Sequence, residues 1–210
     1  MVKTITIPEI KVMAELITNM KHKRVGILGG TFNPPHLGHL IIAEQVKSQL
    51  NLDKVMFIPD YQPPHIDKKT AISAEKRLKM VKLSTMDEPE FKVSDIELRR
   101  KGVSYTIDTI KELKLKNPEV DYYFIIGGDM VEYLPKWHRI EELIKLVKFV
   151  GVGRPGYRKE SKYPIMWVDV PMTDISSTLV RRNVKQGCSI KYLVTPEVEN
   201  YIHEEGLYRE

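Results

Sequence analysis

Compact apolar runs alternate with longer segments of mixed polarity along most of this chain. Two such runs are residues 25–28 (VGIL) and 55–58 (VMFI), and each is short and continuous enough to be a strand buried on both faces. The segment between them, 38–50, has the length of a helix. The same alternation continues toward the C-terminus. It predicts strands at 91–98, 122–126, 149–152 and 165–170, and helices at 73–86, 106–115, 140–146, directly after 176–178, and at 196–204.

Strands that are separated by helix-length segments pair in parallel, because the chain must cross over the sheet between them. The pattern therefore predicts an α/β fold with a doubly wound, mainly parallel sheet. We expect residues 24–210 to form a single domain. Residues 1–23 do not follow this alternation of strands and helices and are predicted to be an N-terminal extension. The spacing of its apolar residues predicts a short amphipathic helix after Pro8, and whether this helix packs on the domain or is loosely held is left open.

Composition narrows the class of protein. Of the 210 residues, 42% are hydrophobic and 29% charged, which are ordinary globular values. The single cysteine, Cys188, excludes an intramolecular disulfide scaffold and indicates a reducing compartment. No apolar run approaches the roughly 20 residues that span a bilayer, and the N-terminus lacks a continuous apolar signal segment. We expect a soluble, cytoplasmic protein. The net charge of +5 has two interpretations. It favours binding of phosphate-bearing partners, or it only keeps the protein soluble.

The first candidate site follows the first predicted strand, in residues 29–39 (GGTFNPPHLGH). Ligands of open α/β sheets bind beyond the carboxyl ends of the strands. Gly29 and Gly30 let the backbone approach an anion, and the amides at the start of the next helix point toward it. Pro34 and Pro35 stiffen the loop and lower the entropy cost of its binding conformation.

His36 and His39 lie three residues apart at a helix start, so both rings can occupy one face. Two imidazoles beside a phosphate-binding loop are suited to stabilising charge on a phosphoryl group in a transition state. The alternatives are a metal pair or two structural histidines. A zinc site requires a third protein ligand, and none stands at an obvious spacing, so no metal site is predicted.

A second candidate site begins at Ser176-Ser177-Thr178, with Arg181 one helical turn later. The hydroxyl groups at a helix N-terminus cap the helix or donate to an anion, and the guanidinium lies beside them. When the serines and threonine are considered alone, an ordinary helix cap is the better explanation of them.

Together the two sites resemble the nucleotidyltransferases that carry an H-x-G-H motif, whose I-S-S-T-x-x-R element matches residues 175–181. The resemblance implies a Rossmann-like nucleotidyltransferase fold and the transfer of a nucleoside monophosphate from a triphosphate. Pyrophosphate leaves, and no covalent enzyme intermediate forms. The second element would hold the β- and γ-phosphates of ATP. The implied catalytic residues are His36, His39 and Arg181. The implied ATP-binding residues are Gly29, Gly30, Thr31, Phe32, His36, His39, Gly127, Asp129, Ser176, Ser177, Thr178 and Arg181.

The middle of the chain is similar to the bacterial nicotinate-mononucleotide adenylyltransferases, through residues 104–109 (SYTIDT), 127–129 (GGD) and 134–138 (LPKWH). This resemblance implies that nicotinate mononucleotide is the second substrate, within NAD biosynthesis. Its binding residues would include Tyr105, Thr106, Trp137 and His138. A Trp ring can stack on a pyridine, and a helix start can meet a carboxylate. Core packing for Trp137 and helix caps for Thr106 and Asp129 are the structural alternatives.

A further element, 63–65 (PPH), is similar to the P-P-H-K loop of the same family. Here Ile66 and Asp67 separate His65 from Lys68, so the lysine is displaced. We expect His65 and Lys68 to contact the mononucleotide. Whether Lys68 replaces the displaced lysine is left open.

The resemblance also implies Mg²⁺ accompanying ATP, with no dedicated protein cage, and no nucleic-acid or membrane partner. A homo-oligomer is left open. Rival functions are a nicotinamide-mononucleotide or phosphopantetheine adenylyltransferase, a cytidylyltransferase, or a non-catalytic nucleotide- or RNA-binding module. The adenylyltransferase of phosphopantetheine and the cytidylyltransferases lack the Lys-Trp-His segment. The binding module would require neither histidine and would interleave aromatic with basic residues on one surface.

Overall fold

The computed structural model describes residues 22–62, 71–153, 160–171 and 173–209. Its strands are β1 (Arg24–Gly30), β2 (Lys54–Pro59), β3 (Phe91–Val93), β4 (Asp121–Gly127), β5 (Lys148–Val152) and β6 (Ile165–Val168). Its helices are α1 (Leu37–Gln49), α2 (Ala74–Ser84), α3 (Ile96–Arg100), α4 (Thr106–Lys116), α5 (Gly128–Tyr133), α6 (Ile140–Leu146), α7 (Ser177–Lys185) and α8 (Pro196–Glu204). A 3₁₀ turn, Leu134–Lys136, follows α5.

The strands form one sheet in the order β3-β2-β1-β4-β5-β6, and all the paired strands are parallel. The order reverses between β1 and β4, which is the topological switch point at which doubly wound sheets bind ligands. The predicted α/β class and the doubly wound, parallel sheet are confirmed.

Alternate residues of the central strands face two separate cores, one on each side of the sheet. Ile27 and Phe124 face a core closed by α4 and α6, while Leu28 and Ile125 face a core closed by α1 and α2. This two-sided burial explains why these strands are continuous apolar runs in the sequence. A third, smaller core joins α2, α7 and α8. It fastens the C-terminal helices to the sheet domain.

One predicted strand, 91–98, is wrong over its second half. Only Phe91–Val93 pair with β2, and Ile96–Arg100 form the short helix α3. The alternating polarity of 91–98 fits either structure, but Asp95 and Arg99 form an ion pair across one helical turn. Lys101 and Gly102 then end the helix with positive φ angles of 60° and 72°. Glu97 lies in the first turn of α3 and is buried.

No helix in the described part of the chain combines the length and apolarity needed to cross a bilayer. The predicted extension lies almost wholly outside the description, since residues 1–21 are not part of it.

Candidate active site

A cavity of about 530 Å³ opens at the carboxyl ends of β1, β2 and β4. This is the edge of the sheet at which the sequence predicts a ligand. Residues of the first candidate site, 29–39, and of the segments predicted to bind the mononucleotide line this cavity. The predicted residues among them are Gly29, Gly30, His39, Tyr105, Thr106, Gly127, Trp137 and His138.

His36 and His39 lie side by side at the N-terminus of α1, with ring centroids 3.7 Å apart. His36 is the N-cap residue, and its backbone amide donates a hydrogen bond to Nδ1 of His39 over 3.1 Å. Because Nδ1 accepts, the neutral His39 ring carries its proton on Nε2. His39 therefore presents a hydrogen-bond donor from the ring edge opposite the cap.

Two neighbouring residues fix these rings. A side chain at Gly38 would bring a Cβ to 3.0 Å from Nδ1 of His36, which is tighter than most real contacts, so the His36 ring would have to shift. The Phe32 ring is 2% exposed and packs edge-on against His39 at 5.0 Å. Phe32 thus supports the His39 ring from the core.

The second candidate site, at the start of α7, contacts the first one, although the two are far apart in the sequence. The Ser177 hydroxyl donates to the Pro34 carbonyl over 2.7 Å, and Arg181 Nη1 donates to the Asn33 carbonyl over 2.8 Å. Arg181 Nη2 also donates to Thr178 Oγ1 over 3.2 Å. Two acceptors therefore orient the guanidinium beside residues 29–39, which we call the histidine loop.

Ser176 has the structural role that the sequence left open, that of a helix cap. Its Oγ accepts from the Leu179 amide over 3.1 Å, which makes it the N-cap of α7. Thr178 is exposed on the first turn of the same helix. The motif thus combines a helix cap with an oriented arginine.

The far wall of the cavity is aromatic. Tyr105 and His138 lie with ring centroids 4.5 Å apart, and Trp137 packs edge-on against Phe124 at 5.8 Å and Phe149 at 6.0 Å. Trp137 is half-buried, so it belongs to the core as well as to the cavity. Trp137 therefore packs against the core and also lines the cavity, and its stacking on a pyridine ring stays a prediction.

Thr106 is the first residue of α4, directly after its N-cap Tyr105. The first amides of a helix have no acceptor within the helix and carry its positive dipole end. Thr106 lines the cavity beside Tyr105 and His138, so this corner is suited to an anionic group such as a carboxylate.

Three predicted residues cannot be placed. His65 and Lys68 lie outside the described residues, as does the side chain of Asp129, whose backbone belongs to α5. Thr31 is placed, and its hydroxyl donates to Asp60 Oδ2 over 2.8 Å.

Asp60 and Arg77 are site residues that the sequence analysis missed. Arg77 is 2% exposed and pairs with Asp60 through Nη1 and Oδ1 at 3.1 Å. The same guanidinium donates to the carbonyls of Thr31, Asp60, Tyr61 and Ile72. Burial raises the pKa of Asp60, although Arg77 and the Thr31 hydroxyl oppose this shift. The position of Asp60, directly after the second predicted strand, was a signal that could have found it.

Glu97 is a second buried carboxyl on the cavity wall that the sequence analysis missed. Its Oε1 accepts from the Thr109 hydroxyl over 2.6 Å, and Ser104 also hydrogen-bonds to it. Burial raises the pKa of Glu97. Ser104 in turn accepts from the Tyr61 amide over 3.0 Å, so this network links the loop after β2 to the start of α4.

His39 lines the cavity, whereas Thr178 and Arg181 line a second groove on the other side of the loop that carries Asn33 and Pro34. A histidine N–H, a hydroxyl group and a guanidinium all suit phosphate oxygens. Within the described ranges, no three His, Cys, Asp or Glu side chains are grouped so as to hold a metal ion.

Residues 27–183 match the model of the cytidylyltransferase-like family. A protein of Enterococcus faecalis named "probable nicotinate-nucleotide adenylyltransferase" is 61% identical over 90% of this chain and 86% of its own length. One of the same name from Lactiplantibacillus plantarum is 54% identical over 95% of both chains. The chain belongs to the nicotinate-nucleotide adenylyltransferase family.

Solved structures agree on the fold. The nicotinic acid mononucleotide adenylyltransferase of Plasmodium falciparum, complexed with NaAD, superimposes with a TM-score of 0.75. The match covers 89% of this chain and 98% of that one at 19% identity. At that identity the likeness concerns the fold alone, and it confirms the Rossmann-like prediction.

Membership of the nicotinate-nucleotide adenylyltransferase family confirms the resemblance that the motifs carried. It also places this chain among nucleotidyltransferases, apart from the non-catalytic binding module. The roles of the individual site residues stay predictions.

Proposed function

We propose that this protein transfers the adenylyl group of ATP to nicotinate mononucleotide, giving nicotinate adenine dinucleotide and pyrophosphate, as a step of NAD biosynthesis. The observation that carries the proposal is the position of His39, whose Nδ1 accepts from the His36 amide and whose side chain lines the cavity of a nicotinate-nucleotide adenylyltransferase family member. The names of the relatives support the choice of substrates.

The reaction requires little acid–base chemistry from the protein. A phosphate oxygen of nicotinate mononucleotide attacks the α-phosphorus of ATP in line, and the bond from that phosphorus to the bridging oxygen of the β-phosphate breaks. Pyrophosphate leaves with the electron pair of that bond. Because the attacking phosphate is already ionised, positioning and charge stabilisation are sufficient.

The ATP end of the site is assigned to the histidine loop and α7. His39 would donate from Nε2 to the α-phosphate as charge builds on it, with His36 beside it. Arg181, oriented by the Asn33 carbonyl and Thr178, would contact the β- and γ-phosphates. Gly29, Gly30 and Gly127 line the cavity without side chains and leave the ATP room.

The nicotinate end is assigned to the aromatic wall. The ring would stack on Trp137, which lines the cavity and is held by edge contacts with Phe124 and Phe149. The nicotinate carboxylate would meet the first amides of α4 at Thr106. Tyr105 and His138 complete this end, and we keep His65 and Lys68 as expected contacts of the mononucleotide.

We include Mg²⁺ as a partner of the triphosphate, whose oxygens are the ligands that it prefers. When bound, it neutralises charge on the departing pyrophosphate. The donors of this site would bind the phosphate oxygens, and the triphosphate itself would hold the metal. We further infer a cytoplasmic location and a single catalytic domain of residues 24–210, to which 1–23 are an extension.

The test is pyrophosphate release from ATP and Mg²⁺ with nicotinate mononucleotide, nicotinamide mononucleotide and phosphopantetheine offered separately, each product being identified by mass. We expect the highest kcat/KM with nicotinate mononucleotide. The variant His39→Asn is the matched control for contaminating activity. Faster turnover of either rival acceptor, or turnover of none, would contradict the proposal.

A further inference from the structure

The closing segment after α8 contacts the histidine loop. The Tyr208 hydroxyl donates a hydrogen bond to Oδ1 of Asn33 over 2.8 Å. Asn33 is 6% exposed and lies three residues before His36. The contact joins residues 175 positions apart. It is made by a side chain that lies in a second groove beside Ile72 and Arg181.

The local structure directs Tyr208 at this target. Gly206 ends α8 with a φ of 59°, and the Leu207 amide then donates back to the Ile202 carbonyl over 3.0 Å. Leu207 is buried in the small core between α2, α7 and α8. With Leu207 anchored there, Tyr208 adopts a positive φ of 62° and its ring reaches Asn33.

Asn33 is thereby held at two points. Its carbonyl accepts from Arg181, and its side-chain oxygen accepts from Tyr208. Burial raises the pKa of the Tyr208 phenol well above its usual range, although Arg181 and Arg77 nearby oppose the shift. The hydroxyl therefore remains a donor at every pH at which the protein would be assayed.

We propose that Tyr208 is a positioning residue for adenylyl transfer, which acts through Asn33 to hold the loop that carries His36 and His39. The inference rests on the proposed function, because turnover is one of its measurements. A displaced histidine loop would misalign the donor to the α-phosphate, and small misplacements cost rate rather than ground-state binding of the mononucleotide.

The test compares Tyr208→Phe, which removes one oxygen atom, with Tyr192→Phe. Tyr192 is the matched control, since it also has a positive φ, of 65°, but is 75% exposed. When a buried acceptor loses its hydrogen bond, the equilibrium constant or rate constant that depends on it changes by about tenfold. We expect kcat to fall about tenfold in Tyr208→Phe, with KM for nicotinate mononucleotide changing less than about twofold, and to be unchanged in Tyr192→Phe.

A double-mutant cycle shows whether the effect passes through Asn33. Asn33→Ser shortens the side chain beyond reach of the hydroxyl, so adding Tyr208→Phe to it should lower kcat no further. Hydrogen exchange of residues 31–39 should quicken in Tyr208→Phe without any turnover being required. Full kcat in Tyr208→Phe, or single effects that multiply in the double variant, would overturn the inference. An inactive parent protein would instead contradict the proposed function.

Discussion

The backbone amide of His36 donates to Nδ1 of His39 over 3.1 Å, and the two rings lie 3.7 Å apart. One histidine thus serves two purposes, since it caps the first turn of α1 and presents its other nitrogen to the cavity. The cap determines which nitrogen carries the proton, so the residue that begins the helix also sets the chemistry of the residue that follows it by one turn.

The two roles of His39 can be separated by substitution. Asn keeps an acceptor near the position of Nδ1 but has no atom in place of Nε2, so His39→Asn should preserve the cap and lose the donor to the α-phosphate. We expect kcat to fall by about 10²–10³-fold with little change in melting temperature. His39→Ala should lose both the rate and some of the stability of α1. A His39→Asn protein with parental kcat would show that Nε2 is not the catalytic donor.

Arg181 and Arg182 provide a matched pair on one helix. Arg181 is oriented by the Asn33 carbonyl and Thr178, whereas Arg182 is exposed. Removing a charge-assisted hydrogen bond to a phosphate costs about 10–100-fold, so Arg181→Ala should lower kcat/KM for ATP by that factor. Arg182→Ala should stay within about twofold. Steady-state kinetics with varied ATP distinguish the two, and equal losses would indicate a general charge effect.

Selectivity for the acid over the amide should lie at the start of α4. The nicotinate carboxylate can accept from the amides at Thr106, whereas a carboxamide presents its own NH₂ to them or accepts fewer bonds. Each unpaired buried donor costs about 1–3 kcal/mol, so two give a preference on the order of 10²-fold. Trp137→Phe should weaken both mononucleotides and leave their kcat/KM ratio unchanged, because either ring can stack. If the ratio collapses in Trp137→Phe, the selectivity belongs to the tryptophan.

Glu97 predicts a pH dependence of stability. Because burial raises its pKa in the folded protein, the folded state binds the proton more tightly than the unfolded state does. Wild-type stability is therefore lost as the pH rises from the unfolded pKa through the folded one. Glu97→Gln removes this titration and keeps the acceptor for Thr109. Its melting temperature relative to wild type should rise as the pH is raised above the unfolded pKa of a glutamate, and Glu204→Gln, at an exposed position, is the control for replacing a carboxyl by an amide.

The buried ion pair predicts a large loss of stability. Arg77→Met leaves the Asp60 carboxylate, which is 8% exposed, without its partner, and such losses cost about 3–5 kcal/mol. Arg99→Met breaks the exposed pair with Asp95 and should cost less than about 1 kcal/mol. Urea unfolding measures both free energies. Similar values for the two variants would mean that Asp60 is neutral in the folded protein.

The sheet and the histidine loop could be predicted from the sequence because they depend on local patterns. Continuous apolar runs mark buried parallel strands, and Ser73 caps α2 as its position predicts, accepting from the Lys76 amide over 3.3 Å. Asp60, Arg77 and Glu97 escaped prediction because their role is tertiary. A charged residue in an amphipathic segment is usually solvated, and nothing local indicates that Arg77 lies inside.

The contacts of Ser177 with Pro34 and of Arg181 with Asn33 join residues 143 and 148 positions apart. During synthesis, β1 and the histidine loop leave the ribosome long before α7 exists. A nascent chain that stops before α7 would therefore have the loop of residues 29–39 without the arginine that donates to it. Such long-range closure is slow, because the entropy of a large loop must be lost before any contact forms. Under the role proposed for Arg181, the part of the site assigned to the β- and γ-phosphates is therefore completed only after α7 has been synthesised.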